Sequence, residues 1–449
     1  QFAGLTSAQL QALDTTQLAG LESADLGKFT TVQLKGLESD DITALTTDQL
    51  AGLTSTQVAS LTSMQVKGLE SDDFASFSSS VLRALTTGQI AALGTEQLDG
   101  LDSSQWATLT SAQITALGTA GVAALNSDDI AAMTSAQFTG MTSAQLAALD
   151  TVQLSGLEST DLSKLSTLQL KGLDSDDFAA LTSDQLDGLT SSQIASLSTA
   201  QVVGLSSEDF AAFNSTELRS FTSAQLSALG TDQLAGLTSA QVGQLTTLQL
   251  RGLDSDDIAA LTTDQLDGLN SSQIASLTTS QVKGLESDDL TSFSSLDLRA
   301  FTTAQIAAMG TEQLDGLDSS QWATLTSAQI TALGTAGVAA LNSDDIGAMT
   351  SAQFAGMTSA QLAALDTTQL AGLESADLSK LSTLQLKGLD SDDISALTSD
   401  QLQGLNSSQI ASLSTAQVVG LASEDFGAFG SKELQSFTSS HLAALGTDQ

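Results

Sequence analysis

The chain has no proline, no cysteine and no tyrosine in 449 residues, and only one histidine (His441) and two tryptophans (Trp106, Trp322). Without cysteine, disulfides and thiolate metal sites are excluded. That absence does not fix the redox compartment, but an exported chain of this kind needs no oxidative folding. A lone histidine, with no cysteine, tyrosine or second histidine beside it, makes neither a metal cluster nor a nucleophile–base pair. Catalysis has no support, and a non-enzymatic protein is expected. Basic residues are scarce, 13 against 52 acidic ones, for a net charge of −39. Such a surface repels nucleic acid and anionic lipid, favours solubility and attracts cations. No apolar run approaches the roughly 18 residues that a membrane span requires, so no membrane insertion is expected. No signal peptide is visible. The sequence opens on Gln1, in mid-repeat and without Met, and reads as a window of a longer array, which leaves room for targeting signals outside it.

What is present is an eight-residue unit. Leu5-Thr6-Ser7-Ala8-Gln9-Leu10-Gln11-Ala12 is followed by Leu13-Asp14-Thr15-Thr16-Gln17-Leu18-Ala19-Gly20, and the pattern continues to the end. Position one is large and apolar, position two a cap-type polar residue and position three Ser or Thr. Position five is Gln or Asp, position six large and apolar, and position eight small. Gln1 and Gln449 both hold position five, 56 octads apart, with no insertion between them. A fixed short period overrides the two or three globular domains that this length would suggest.

A continuous helix fails on arithmetic: eight residues at about 100° each leave the apolar stripe drifting by roughly 80° per octad. An unbroken coiled coil fails likewise, since its period is about 7 or 11. A helix restarted in every octad fits. Thr6 and Gln9 have the spacing of a capping box, and Leu5 and Leu10 that of a hydrophobic staple. Thr46/Gln49 with Leu45/Leu50 repeat it. Gly at position eight (Gly20, Gly36, Gly52, Gly68) suits an exit from the helix. Acids at positions four and five and bases at position seven (Lys35, Lys67, Arg83, Lys171, Arg219) complement the helix dipole. Where position two is Glu (Glu22, Glu38, Glu70) or Ala (Ala422), the cap is free to move to Ser23, Ser39, Ser71 or Ser423. The alternative is a β-solenoid, but positions one and six would then face opposite sides and period-two alternation is missing. The expected fold is all-α, a repeat solenoid of very short capped helices, one per octad. Each helix is too short to stand alone, so stability must come from stacking. The number of octads per coil cannot be read from the spacing.

The whole of residues 1–449 is one octad array, with a longer period superposed on it. Asp102-Ser-Ser-Gln-Trp106 returns as Asp318-Ser-Ser-Gln-Trp322, 27 octads later, in a tandem duplication. The array grew by copying whole octads, which suggests that length itself is useful.

Ten octads carry paired acids at positions four and five, two of them Glu208/Asp209 and Glu424/Asp425. The others are Asp40/Asp41, Asp72/Asp73, Asp128/Asp129, Asp176/Asp177, Asp256/Asp257, Asp288/Asp289, Asp344/Asp345 and Asp392/Asp393. Carboxylates of adjacent coils have the oxygen chemistry for Ca2+, and these are the candidate metal ligands. The plainer reading is preferred: acids at helix N-termini, held by the dipole and exposed for solubility, with Lys35 and Lys171 as ion-pair partners. The D-x-D-x-D-G loop of a calcium site is absent. No cofactor is expected unless that Ca2+ binds. The Ser/Thr column at position three has two readings, an outward ladder for ice or sugar, or, preferred, caps and bonds to nearby backbone. The Gln column suggests an amide ladder along the stack. Trp106 and Trp322 take core positions, and Gly118 to Gly121 form an octad variant without phosphate-loop spacing.

The octads Leu45 to Gly52 (Leu-Thr-Thr-Asp-Gln-Leu-Ala-Gly) and Leu109 to Ala116 (Leu-Thr-Ser-Ala-Gln-Ile-Thr-Ala) resemble the "LTTxQhxx" octapeptide arrays of very large bacterial surface or secreted, adhesin-like proteins. The resemblance covers the whole chain. It implies an extracellular, cell-associated protein and carries over no catalytic or binding residue. The expected function is structural: a rod or filament segment at the cell surface that associates with neighbouring copies of itself. The alternative is a calcium-binding adhesin-type module that uses the acidic octads.

Overall fold

The computed structural model of the chain describes residues 4–447 and 449. These residues form 55 helices of four to six residues, from Ser7–Gln11 to Ser439–Ala444, with no strand among them. The all-α expectation holds and the β-solenoid is set aside. Two compact units divide the chain, Gln1–Leu229 and Gly230–Gln449. At the 27-octad offset Gly230 corresponds to Asp14, so the second unit is a copy of octads in the first.

The octad Leu53 to Ser60 shows why the chain folds locally as it does. Thr54 is extended, at φ −77° and ψ 156°, and the helix Ser55–Ser60 follows it. The Thr54 Oγ1 accepts the Gln57 N–H at 3.4 Å while Gln57 Oε1 accepts the Thr54 N–H at 2.8 Å, which closes the capping box. The chain then leaves the helix as the Leu61 N–H bonds to the Val58 carbonyl at 3.2 Å. Val58 and the staple residue Leu53 are buried, 0% and 4% exposed. Two such side chains per octad cannot hold a single helical turn in water; the rest comes from the neighbours.

Those neighbours are three octads away. In the first unit Ser55–Ser60 packs on Thr31–Leu34 and on Ser79–Ala84. In the second, Ser351–Gly356 packs on Ser327–Ala332 and on Ser375–Lys380. Side-chain bonds between coils join residues 25 to 31 apart, as from Gln57 to Phe29 and Leu26 and from Ser55 to Ser80, so one coil takes between three and four octads. Positions one and six merge within each unit into a continuous apolar core.

Three expectations are corrected by this geometry. First, position-eight glycines are not left-handed helix exits, because positive φ occurs among the described residues only at Gly118 and Gly334, both at 67°. They are small because coils touch there: a Cβ on Gly36 would lie 2.6 Å from the carbonyl oxygen of Ser7 in the preceding coil. Second, the cap does not move in the Glu and Ala octads. Glu22, Glu38, Glu70 and Ala422 stay extended and the helices begin at Ser23, Ser39, Ser71 and Ser423. In three of these octads the carboxylate at position five holds the cap N–H, as Asp41 does for Glu38 at 2.8 Å, Asp73 for Glu70 at 2.9 Å and Asp425 for Ala422 at 2.8 Å. Third, the Ser/Thr column does not cap; where its hydroxyls are bonded across coils, they reach backbone or the position-five carboxylate. Position three is the first helical residue, and several of its hydroxyls reach the next coil: Ser55 Oγ donates to the Ser80 carbonyl at 3.1 Å and Ser327 Oγ to the Ala352 carbonyl at 2.7 Å.

Candidate functional site

The chemistry of this protein concentrates on position five, the third residue of each helix, where the side chain faces the preceding coil. A glutamine there does two jobs at once. Its oxygen accepts the cap N–H of its own octad. Its amide nitrogen donates to two carbonyls of the coil behind, those of Leu26 and Phe29 for Gln57, both at 2.8 Å. In the second unit Gln409 donates to Leu378 and Leu381, both at 2.7 Å. Gln57 and Gln409 are 4% and 2% exposed, so these bonds are made away from water. Each neutral bond contributes about 1 kcal/mol, and a buried carbonyl left without a donor costs more. The glutamines therefore do not stack amide on amide, as a ladder would require; each ties a side-chain amide to backbone.

In a subset of octads an aspartate at position five keeps the first job and reverses the second. Asp73 Oδ2 accepts the Glu70 N–H at 2.9 Å, and Oδ1 accepts the Thr47 hydroxyl of the preceding coil at 3.0 Å. Ser183 donates in the same way to Asp209, and Ser351 to Asp377, each at 2.7 Å. The carboxylate has no hydrogen to give, and in these octads the coil behind supplies one from position three.

His441 behaves as a glutamine. Its Nδ1 accepts the Thr438 N–H at 3.2 Å and its Nε2 lies 2.8 Å from the carbonyl of Leu413 in the coil behind. That pair of contacts assigns the hydrogen to Nε2. Trp106 and Trp322 are core residues, 0% and 1% exposed, and their indole N–H groups have no hydrogen-bond partner among the described residues.

The candidate calcium ligands fall into two rows. Asp40, Asp72, Asp128, Asp176, Asp256, Asp288, Asp344 and Asp392 are exposed on the first helical turn. Asp73, Asp129, Asp289 and Asp345 are buried, and Asp41, Asp177, Asp257 and Asp393 half-buried, each within the position-five set. Burial raises the carboxyls of Asp129, Asp177, Asp257, Asp345 and Asp393 above their ordinary range, partly offset by the bond each accepts from its cap N–H. Asp102 and Asp318 lie below it, held there by the hydroxyls of Ser104 and Ser320. Among the described residues no three Asp, Glu or His side chains gather where they could share an ion. Among the described residues the expected ion pairs of Lys35 with Asp40 or Asp41, and of Lys171 with Asp176 or Asp177, are not made. Lys28 does pair with Asp25, at 3.4 Å.

The family whose description is "ALTTAQ repeat" matches residues 18–55, 34–71, 66–103, 122–159, 154–191, 202–239, 210–247, 250–287, 282–319, 290–327, 315–351, 338–374 and 370–407, well over half of the chain. The chain belongs to the ALTTAQ repeat family. Among curated proteins none matches it. A solved structure titled "Structure of APUM23-GGAAUUGACGG" is similar at 12% identity over 95% of this chain and 92% of that one, with a TM-score of 0.17. At that score the likeness bears on neither fold nor role. The Gln of the family's name marks the amide tie, and its Thr the cap. No described helix of this ALTTAQ array is long and apolar enough to cross a membrane.

Proposed function

We propose that this ALTTAQ array is a structural, non-catalytic segment of an extracellular bacterial surface protein, a rod or filament piece that provides reach and stiffness and associates with copies of itself. The observation that carries this reading is the amide tie, made in both units from the same position to backbone carbonyls 28 and 31 residues back. Backbone acceptors are present whatever the side chain, so octads can be copied without redesigning the contact, and length becomes adjustable. The surface location rests on the octapeptide resemblance, and the charge of −39 suits a soluble segment that shuns nucleic acid and anionic lipid. Small-angle scattering of the purified chain tests the rod: a maximum dimension several times the cross-section is expected, and a compact particle would overturn it. The acidic octads serve solubility in this reading, so millimolar Ca2+ is expected to leave the melting temperature unchanged. A rise would favour a calcium-binding adhesin-type module instead.

A further inference from the structure

Position one is buried in every octad from Leu21 to Phe437 except two, at Leu93 and Met309. Each lies one coil before a glycine at position five, Leu93 before Gly121 and Met309 before Gly337. The pairs stand in the same register as Leu61 and Gln89, so each glycine occupies the place from which a glutamine would reach back and cover the residue below. Among the described residues no side-chain amide reaches the carbonyls of Leu93 and Met309. Loss of the amide alone is not the cause. Val81 also lacks one, yet Leu53, in the same register beneath it, is 4% exposed. A side chain of any kind at position five closes the core, and a hydrogen does not.

The same two octads lose their caps. Leu117 and Leu333 are helical, at ψ −24° and −25°, where position one elsewhere is extended, as Leu61 is at ψ 143°, and the following Gly118 and Gly334 take φ 67°. The helix Ser111–Ala116 thus runs into Gly118–Ala123 with no capping box between them. Gln145 is displaced as well, donating to Ile114 at 2.9 Å and to Gly118 at 3.4 Å in place of Leu117. Missing cover, missing cap and redirected tie coincide within one octad, once per unit.

We infer that the Gly118–Gly121 and Gly334–Gly337 octads are joints at which the stack opens first, a conformational device spaced by the 27-octad duplication. The inference goes beyond the structural role proposed above and does not depend on where the protein resides. Amide exchange of the whole chain tests it. The Leu93 N–H bonds to the Ile90 carbonyl and the Leu157 N–H to the Leu154 carbonyl, both at 3.1 Å, but only Leu157 lies under a glutamine, Gln185. The Leu93 amide is expected to exchange faster than that of Leu157 by roughly tenfold, the effect of one or two lost bonds. The double variant Gly118→Thr/Gly121→Gln restores the standard octad and is expected to slow Leu93 to the rate of Leu157, with Met309 unchanged as an internal reference. Gln185→Gly installs a joint and is expected to speed Leu157. This variant carries the test independently of whether the restored octad folds. Equal exchange at Leu93 and Leu157 in the natural chain, or an unchanged Leu157 in Gln185→Gly, would overturn the inference.

Discussion

The octad around Gln57 and the octad around Asp73 have the same helix, the same extended cap and the same buried leucine-type staple, and they bind the preceding coil with opposite polarity. Gln57 gives two hydrogens to backbone at 2.8 Å, whereas Asp73 takes one from a threonine side chain at 3.0 Å. The first contact needs only a peptide bond opposite and suits any neighbour. The second needs a hydroxyl at position three of the coil behind. Ser or Thr occupies that position throughout most of the array even where no Asp follows, which leaves octads free to be shuffled. The difference teaches that position five is a two-faced connector, and that its inward face is fixed by the cap while its outward face is negotiable.

Removing core volume should exceed either contact. Leu186→Ala, at a fully buried position six, is expected to cost about 3 kcal/mol by transfer and cavity terms, read from denaturant unfolding. Gln193→Ala, which removes a cap acceptor and two ties at 2.7 and 2.8 Å, is expected to cost about 2 kcal/mol. An effect near zero would show that the ties are incidental to packing. Asp73→Gln converts one class of octad into the other. It gains donors toward Ile42 and Leu45 and strands the Thr47 hydroxyl, so a change within about 1 kcal/mol of zero is expected. A large loss would mean that the two polarities are not interchangeable.

The smallest effect is the pH dependence of the aspartate class. Burial raises Asp129, Asp177, Asp257, Asp345 and Asp393. The folded chain holds their protons more tightly than the unfolded chain does. Their contribution to stability is therefore complete below the ordinary carboxylate range and is lost as pH climbs through the raised values. Asp102 and Asp318, lowered, work the other way and lose their contribution only as pH falls through their own folded-state values. The five outnumber these two and the likewise lowered Glu208, so thermal melts should shift modestly upward from about pH 7 to about pH 4. A downward shift would contradict the assignment.

The helices were legible because their signals are local. Thr46 with Gln49 and Leu45 with Leu50 sit within one octad, and cap and staple chemistry place the helix Thr47–Leu50 as observed. What the sequence could not disclose is what depends on the coil. The second job of Gln57, the smallness of Gly36 and the reach of Ser55 all act on a neighbouring coil, at an offset that no property of a single octad determines. His441 carried a usable signal: among neutral side chains it is one of the few that accept at one end and donate at the other, as glutamine does. The position-five glycines, by contrast, look like ordinary small-residue variants until Leu93 and Met309 are seen only half-buried beneath them.

The central claim is that the position-five amide, through its hydrogens, holds one coil to the next. Gln193→Glu tests it most directly, because the carboxylate keeps the cap acceptor and loses only the donors, and acid returns a hydrogen to it. Thermal melts of Gln193→Glu, with Gln193→Ala as reference, are expected to show a lower melting temperature at about pH 7 and recovery toward the natural chain at about pH 4. No loss at neutral pH, or a loss that acid leaves untouched, would contradict the account.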